Sequence, residues 1–267
     1  MKHGFSFVTL LSGIVTSALT LSPSVLAGSQ EVDIHQPTQV ILLNHGLQLN
    51  YPQPVRLEQV LLDAQQQNRQ QNDSSNAQAL SFHEGFQLFN LNKQAEADAL
   101  LLHVRQQLLE LAKDADYRQA SQLLLTLVEK HQYGYRENIN LDIDAVRLKA
   151  DLNPALPGHY ALKQASRENQ VFLLGLITPK TVPFSADFEV ADYIADGTFN
   201  DNGNKSEAWV ISPNGNSSKV GYSYWNNQHV SVQPGSTIFI GFNASNDELQ
   251  ALESDIVKLL GMIKGKL

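Results

Sequence analysis

The sequence predicts an α+β protein built from two small sheet-and-helix units, the first interrupted by a helical hairpin, with an amphipathic helix at the C-terminus. Three observations predict it. Short strand-like runs flank helical stretches in two separate parts of the chain. Two apolar stripes at helical spacing follow one another between about residues 92 and 132, and a third runs from Leu249 to Ile263. The expected boundaries are 28–163 for the first unit, 164–243 for the second and 244–267 for the closing helix.

Composition narrows the function classes. The chain has 267 residues, 42% hydrophobic and 17% charged, which supports packed cores and argues against wholesale disorder. Its net charge is −8, with no cluster of basic residues, so a nucleic-acid partner is not expected. It has no cysteine, which excludes disulfides, thiolate nucleophiles and thiolate metal sites. Lys2 and His3 precede the apolar run "FSFVTLLSGIVTSALTL", and Val25 and Ala27 occupy the −3 and −1 positions of a cleavage site. The reading is a secretory signal peptide spanning 1–27, cut after Ala27, and hence an exported protein. The apolar run is shorter than the roughly 20 residues of a spanning helix.

The elements follow in order. "QVILLNHGLQLNYPQPVRL" reads as two strands around a turn at Asn44-His45-Gly46. A helix starts near Val55 with Leu57, Val60, Leu61 and Ala64 on one face, and the polar stretch that follows reads as a loop or frayed end. Asn92 is the expected N-cap of a long helix striped by Ala97, Leu100, Leu101, Val104, Leu108 and Leu111. A short link leads to a second helix striped by Ala120, Leu123, Leu124, Leu127 and Val128, which makes an antiparallel hairpin. From Ile139 the pattern alternates like a strand, breaks at Asn153-Pro154 and Pro157-Gly158, and resumes.

The second unit begins near Gln170 with the apolar strand "VFLLGLI". Pro179 and Pro183 punctuate a loop, "FEVADYIADG" is a short helix ended by Gly197, and "AWVISPNG" is a strand entering a turn. "KVGYSYWNNQHVSVQPG" then leads to the final strand. In the closing helix Asn246 is the cap, and Leu249, Leu252, Ile256, Leu259, Leu260 and Ile263 form one apolar face.

These motifs carry a resemblance. Gly175, "ADYIADG", "VISPNG", Trp225-Asn226 and "VQPGSTIFI", in that order, resemble a soluble-ligand-binding β-grasp domain of polysaccharide export proteins. Such domains often have Gly-Gly where this chain has Asp196-Gly197, and Gly-Asp where it has Gly235-Ser236. With the leader, the helical hairpin, the segment "YR…INLDIDAVR…NPALPGHYAL" and the closing helix, the whole mature chain resembles the GfcC family of capsule and exopolysaccharide biosynthesis. The resemblance implies two tandem β-grasp domains, a periplasmic location and no known enzymatic activity. The implied partners are the outer-membrane polysaccharide exporter, the capsular polysaccharide or both, and no cofactor is implied.

Six residues stand out as candidates for ligand binding. Arg136 lies in "YGYR", where the resemblance places an Arg in a cleft; flanked by Tyr133 and Tyr135, its guanidinium is suited to a sugar carboxylate, with the rings stacking on sugar faces. The other reading is a structural Arg bonding the last carbonyls of the hairpin. Asp142 and Asp144, two residues apart on an expected strand, share a face and are the pair a glycoside hydrolase would need about 5–10 Å apart. The competing reading is a solvated strand face on which Arg147 and Arg136 pair with them. Trp209, Trp225, Tyr222 and Tyr224 read as a sugar platform or as packing, with Tyr222 and Tyr224 on one strand face and Trp225 on the other. His103 and His131 lack a third ligand, and "GTFNDNGNKSE" fails as a calcium loop because Thr198 and Trp209 fall at its end positions. The closing helix has three readings: docking on its own domain, binding a partner, or at most peripheral membrane contact.

The expectation is a non-enzymatic periplasmic accessory protein of capsule or exopolysaccharide assembly and export. The alternatives are a polysaccharide-modifying enzyme using Asp142 and Asp144, and a purely structural scaffold.

Overall fold

A computed structural model describes residues 36–71, 82–243 and 246–265 of the chain. The expected leader and most of the polar stretch after the first helix lie outside these residues.

The first unit opens with β1 (Thr38–Leu42) and β2 (Leu47–Tyr51), an antiparallel hairpin closed at the predicted turn. A two-residue strand, β3 (Val55–Arg56), leads into α1 (Leu57–Gln71), whose Leu57, Val60, Leu61 and Ala64 are all buried. β4 (Gln87–Asn90) follows, a strand that the sequence reading did not mark. After the long helices α2 (Gln94–Leu111) and α3 (Arg118–Glu129) come α4 (Ile143–Leu148), β5 (Ala155–Leu156) and β6 (Gly158–Lys163). The sheet order is β2-β1-β6-β4, with β1 and β6 parallel at its centre, and β3 pairs separately with β5.

The second unit repeats the plan. β7 (Gln170–Gly175) and β8 (Lys180–Pro183) form the opening hairpin and α5 (Val190–Ile194) the helix. β9 (Glu207–Ile211), β10 (Ser217–Gly221) and β11 (Thr237–Ile240) complete a sheet of order β10-β9-β11-β7-β8, again with first and last strands parallel. Both units are thus β-grasp sheets, and the fold is the α+β class expected. The chain then enters α6 (Asp247–Leu260), capped as predicted by Asn246, whose side chain accepts from the Glu248 N–H.

The helical hairpin is inserted in the first unit but packs on the second. α2 and α3 lie against each other and against α6, and α3 also reaches β7. Ala97, Val104, Leu108, Ala120, Leu124 and Val128 therefore share one apolar core with Leu173, Ile238 and Ile256, whereas β1, α1, α4 and β6 enclose a separate core. All six apolar residues of the α6 stripe are buried, so this helix docks on its own chain.

Five local expectations are corrected. Residues 139–148 are not a strand: Asn140 and Asp142 each accept from a backbone N–H two residues on, which turns the chain, caps α4 and buries Ile143 and Val146. The apolar spacing there suits both periods, and the local side-chain bonds decide for helix. Lys180–Pro183 is an edge strand, where a proline costs no ladder hydrogen bond. Asn92 does not cap α2; the side chain of Asn90 accepts from the Asn92 N–H and closes a preceding 3-10 turn instead. Leu123 is exposed. Finally, Tyr222–Asn226 is a turn, because Asn226 bonds Ser223 in both directions and donates to the Ser206 carbonyl. Tyr224 and Trp225 therefore stand in solvent, Trp225 at 75% exposure, while Tyr222 donates its hydroxyl to the Asn204 carbonyl.

Candidate functional site

The segment from Gln132 to Glu137 is threaded between the two units. On one side Asn90 N–H donates to the Tyr135 carbonyl and Glu137 N–H to the Leu88 carbonyl, extending the first sheet beyond β4. On the other, Gly134 N–H donates to the Met262 carbonyl and Lys264 N–H to the Gln132 carbonyl, so the same segment pairs with the chain leaving α6. A side chain at position 134 would displace the Lys264 side chain, since a Cβ there would lie 2.1 Å from Lys264 Cε. This double pairing holds Arg136 at the junction of the units.

The guanidinium is mostly buried and touches three segments. Nη2 donates to the Pro213 carbonyl at 2.7 Å and the Phe86 carbonyl at 3.2 Å, and Nη1 to the Gly261 carbonyl at 3.4 Å. Pro213 belongs to the "SPNG" turn between β9 and β10, Phe86 immediately precedes β4, and Gly261 is the C-cap of α6, where the negative end of the helix dipole complements the charge. Burial pushes the Arg136 pKa down to about 10, which leaves it cationic at neutral pH. It makes no ion pair among the described residues, so its charge is balanced by carbonyl dipoles alone. Of a guanidinium's five N–H groups, Nε–H and one on Nη1 are left without an acceptor among the described residues.

Arg136 lines three cavities. The first, about 360 Å³, lies between the two sheets, with Gln87, Lys163 and Gln164 from the first unit and Phe172, Pro213, Gly235 and Thr237 from the second. A smaller one of about 220 Å³ is walled by His83, Glu84, Asp142 and Asn214, and a third of about 470 Å³ by Tyr135, Trp209 and Lys258. The "VISPNG" and "VQPG" turns, read from the sequence as strand connections, thus form walls of the first cavity.

The other candidates are dispersed. The Tyr133 ring is buried, and its hydroxyl donates to the Val128 carbonyl at 2.8 Å; it is Tyr133, not Arg136, that bonds the end of the hairpin. Burial raises the pKa of that hydroxyl. The ring of Tyr135 is covered by the Lys93 ammonium, 4.7 Å from its centroid. The Tyr133 ring is thus taken up in the core, whereas Tyr135, with Lys93 over one face, lines the 470 Å³ cavity with Arg136. Asp142 shares the 220 Å³ cavity with Arg136, but its Oδ1 is engaged as the N-cap of α4, and His83 Nδ1 lies 3.8 Å away. Asp144 is exposed in the first turn of α4, and Arg147 faces Glu58 at 3.6 Å rather than either aspartate. The shared strand face on which the carboxylate pair was predicted does not exist. Asp142→Ala should cost about 1 kcal/mol as a lost helix cap, and Asp142→Asn almost nothing, in urea unfolding.

Among the described residues no group of three or more metal-ligating side chains occurs, and His103 instead approaches Asp255 at 3.7 Å. No described helix is long and apolar enough to cross a membrane. Sequence reasoning missed Gln87 and Gln164, because the strand carrying Gln87 went unmarked and single glutamines carry no pattern.

The matched families agree with this architecture. A family model described as "Capsule biosynthesis GfcC, N-terminal" matches residues 35–167, and one described as "Capsule biosynthesis GfcC C-terminal" matches residues 178–262. The chain belongs to the GfcC capsule-biosynthesis family. As a GfcC-family protein it is also similar to "Uncharacterized protein YjbG" of Escherichia coli (strain K12), with 38% identity over 128 residues. That alignment covers 47% of this chain and 52% of the relative, about half the length of each. The junction between the two matched regions, residues 168–177, contains Glu168 and Phe172 of the 360 Å³ cavity, so this GfcC-family cavity draws on both matched parts and on the strand between them.

Proposed function

We propose that this protein is a non-enzymatic, periplasmic accessory factor of capsule or exopolysaccharide assembly and export, which holds an acidic sugar unit of the glycan at Arg136 and presents its flanking surfaces to the outer-membrane exporter. The observation that carries the reading is a part-buried guanidinium with no acidic partner among the described residues, set in the walls of three cavities at the junction of two β-grasp units. A partly desolvated cation with N–H groups free in accessible cavities is suited to an anionic visitor. Family membership in capsule biosynthesis supplies the context, and the predicted leader supports the location. The two aspartates of the enzymatic alternative are a helix cap and an exposed side chain, an arrangement that favours binding over hydrolysis.

The test is incubation with the cognate capsular polysaccharide, followed by saturation-transfer NMR and by sizing of the glycan. Saturation transfer with unchanged chain length is expected. Chain shortening that disappears in Asp142→Asn would overturn the reading in favour of the enzyme, and absence of saturation transfer would remove the glycan from it.

A further inference from the structure

We infer that Tyr224 and Trp225 form a second contact with the glycan, a stacking platform for the uncharged face of a pyranose ring. The inference goes beyond the Arg136 reading but rests on its premise that this protein meets a polysaccharide.

Tyr224 and Trp225 are the two central residues of a β-turn closed by the Asn226 N–H on the Ser223 carbonyl at 2.9 Å. Such positions favour glycine, proline, asparagine, aspartate and serine, which bend the chain and leave no large side chain to bury. Here they carry two bulky aromatics at 102% and 75% exposure. Among the described residues neither ring makes a hydrogen bond or a ring contact, so the packing of the second unit does not ask for them. The turn itself is fixed in place. Asn226 Oδ1 accepts from the Ser223 N–H at 3.0 Å, Asn226 Nδ2 donates to the Ser206 carbonyl at 3.1 Å, and the Tyr222 hydroxyl donates to the Asn204 carbonyl at 2.7 Å. Gln228 N–H donates to the Gly221 carbonyl at 3.2 Å, and glycine is needed at 221, where a Cβ would fall 2.3 Å from the Asn226 carbonyl oxygen. The return leg ends at His229, held at φ 52° with Nδ1 2.9 Å from Glu189 Oε2. A turn braced in this way presents its rings with little conformational entropy left to lose on binding.

The chemistry of the turn selects the occupant. Segment 221–231 contains no Lys, Arg, Asp or Glu, and Ser223, Asn226, Asn227 and Gln228 flank the two aromatics with neutral amides and a hydroxyl. A pyranose ring has an apolar C–H face, which stacks on an electron-rich aromatic ring, and a rim of hydroxyls that pair with neutral polar groups. A membrane surface is a poorer match. Peripheral binding to anionic lipid draws on Lys and Arg, which this segment lacks in a protein of net charge −8. A folded protein partner is poorer too: two such rings cover roughly 300–500 Å², whereas a stable interface takes about 800 Å² from each partner. One or two sugar units fill the smaller area, and membership of a capsule-biosynthesis family supplies such a polymer.

The chain has two tryptophans, so the Trp225 indole N–H is one of two such signals in a proton–nitrogen NMR spectrum and is assigned by its loss in Trp225→Ala. The purified protein is titrated with the cognate capsular polysaccharide, with the same polysaccharide after chemical reduction of its carboxylates to alcohols, and with vesicles of phosphatidylethanolamine and phosphatidylglycerol. The Trp225 signal should shift with both forms of the glycan and stay still with vesicles. Trp225→Ala and Tyr224→Ala should each weaken binding of the reduced glycan about tenfold and leave the melting temperature unchanged, since both rings are exposed. The inference is overturned if the Trp225 signal ignores the reduced glycan while the native form binds, which leaves the Arg136 reading in place, or if it moves with vesicles alone. If neither form of the glycan binds, the inference and the Arg136 reading fall together.

Discussion

Replacing Arg136 by alanine should lower the unfolding free energy by about 3 kcal/mol and abolish glycan binding together. Among the described residues, the guanidinium is the only group that hydrogen-bonds Phe86 of the first unit, Pro213 of the second and Gly261 at the end of α6 together. One of those bonds is short, at 2.7 Å, and the others are 3.2 and 3.4 Å; each bond from a charged donor contributes about 1.5–3 kcal/mol. Removing a buried charge returns part of that sum as relieved desolvation, which is why the expected cost stays near 3. Arg136→Lys keeps the charge but replaces a planar fork by a single ammonium, so it should recover less than half of the lost stability. Urea unfolding monitored by tryptophan fluorescence measures both variants. A cost below about 1 kcal/mol for Arg136→Ala would show that the units are held together without it.

Glu253→Ala should be as damaging, at about 3–4 kcal/mol, through a different element. Glu253 lies on α6 at 3% exposure, a carboxylate on an otherwise apolar face. Its Oε1 accepts from Trp209 Nε1 at 2.5 Å and from the Lys219 ammonium at 3.1 Å, and its Oε2 accepts from the Phe242 N–H at 2.8 Å. The helix is thus bonded to β9, to β10 and to the residues after β11. The approach needs glycine at 241, where a Cβ would fall 1.9 Å from Glu253 Oε2. Alanine strands the buried Phe242 N–H and the part-buried Trp209 Nε1–H, while Lys219 keeps Glu207 at 3.6 Å. Glu253→Gln should cost about 2 kcal/mol, since its NH₂ must face one of those donors. Limited proteolysis would report the mechanism: both variants should release the C-terminal helix earlier than wild type. If Glu253→Ala unfolds within about 0.5 kcal/mol of wild type, the apolar stripe alone holds the helix.

The elements most legible in the sequence were those whose pattern is local and long. α2, α3 and α6 carry stripes of four turns or so, and the spacing of Ala97, Val104 and Leu108, or of Leu252, Ile256 and Leu259, admits one reading. The β1–β2 turn and the Asn246 cap were legible for the same reason, a residue type tied to a backbone geometry. Ile139, Leu141 and Ile143 were misread because three apolar residues at spacing two fit both a strand and the approach to a short helix, and the decision lay in the side-chain bonds of Asn140 and Asp142. Of the six candidates, Arg136 lines three cavities, Asp142 shares one of them and Tyr135 another, while Tyr133 is buried with its hydroxyl on the Val128 carbonyl and Asp144 and Arg147 lie on α4.

By itself the sequence determined the α+β class, the repeated sheet-and-helix plan, the hairpin and the amphipathic closing helix, because each depends on periodicity within a few turns of chain. Only the tertiary structure decided that the hairpin of the first unit packs on the second, that α6 lies down on its own protein, and that Gln87, Arg136 and Gln164 meet in one cavity. Those outcomes depend on which surfaces are buried against each other across tens of residues to more than a hundred, and a cavity wall assembled from such distances leaves no spacing for a sequence to display.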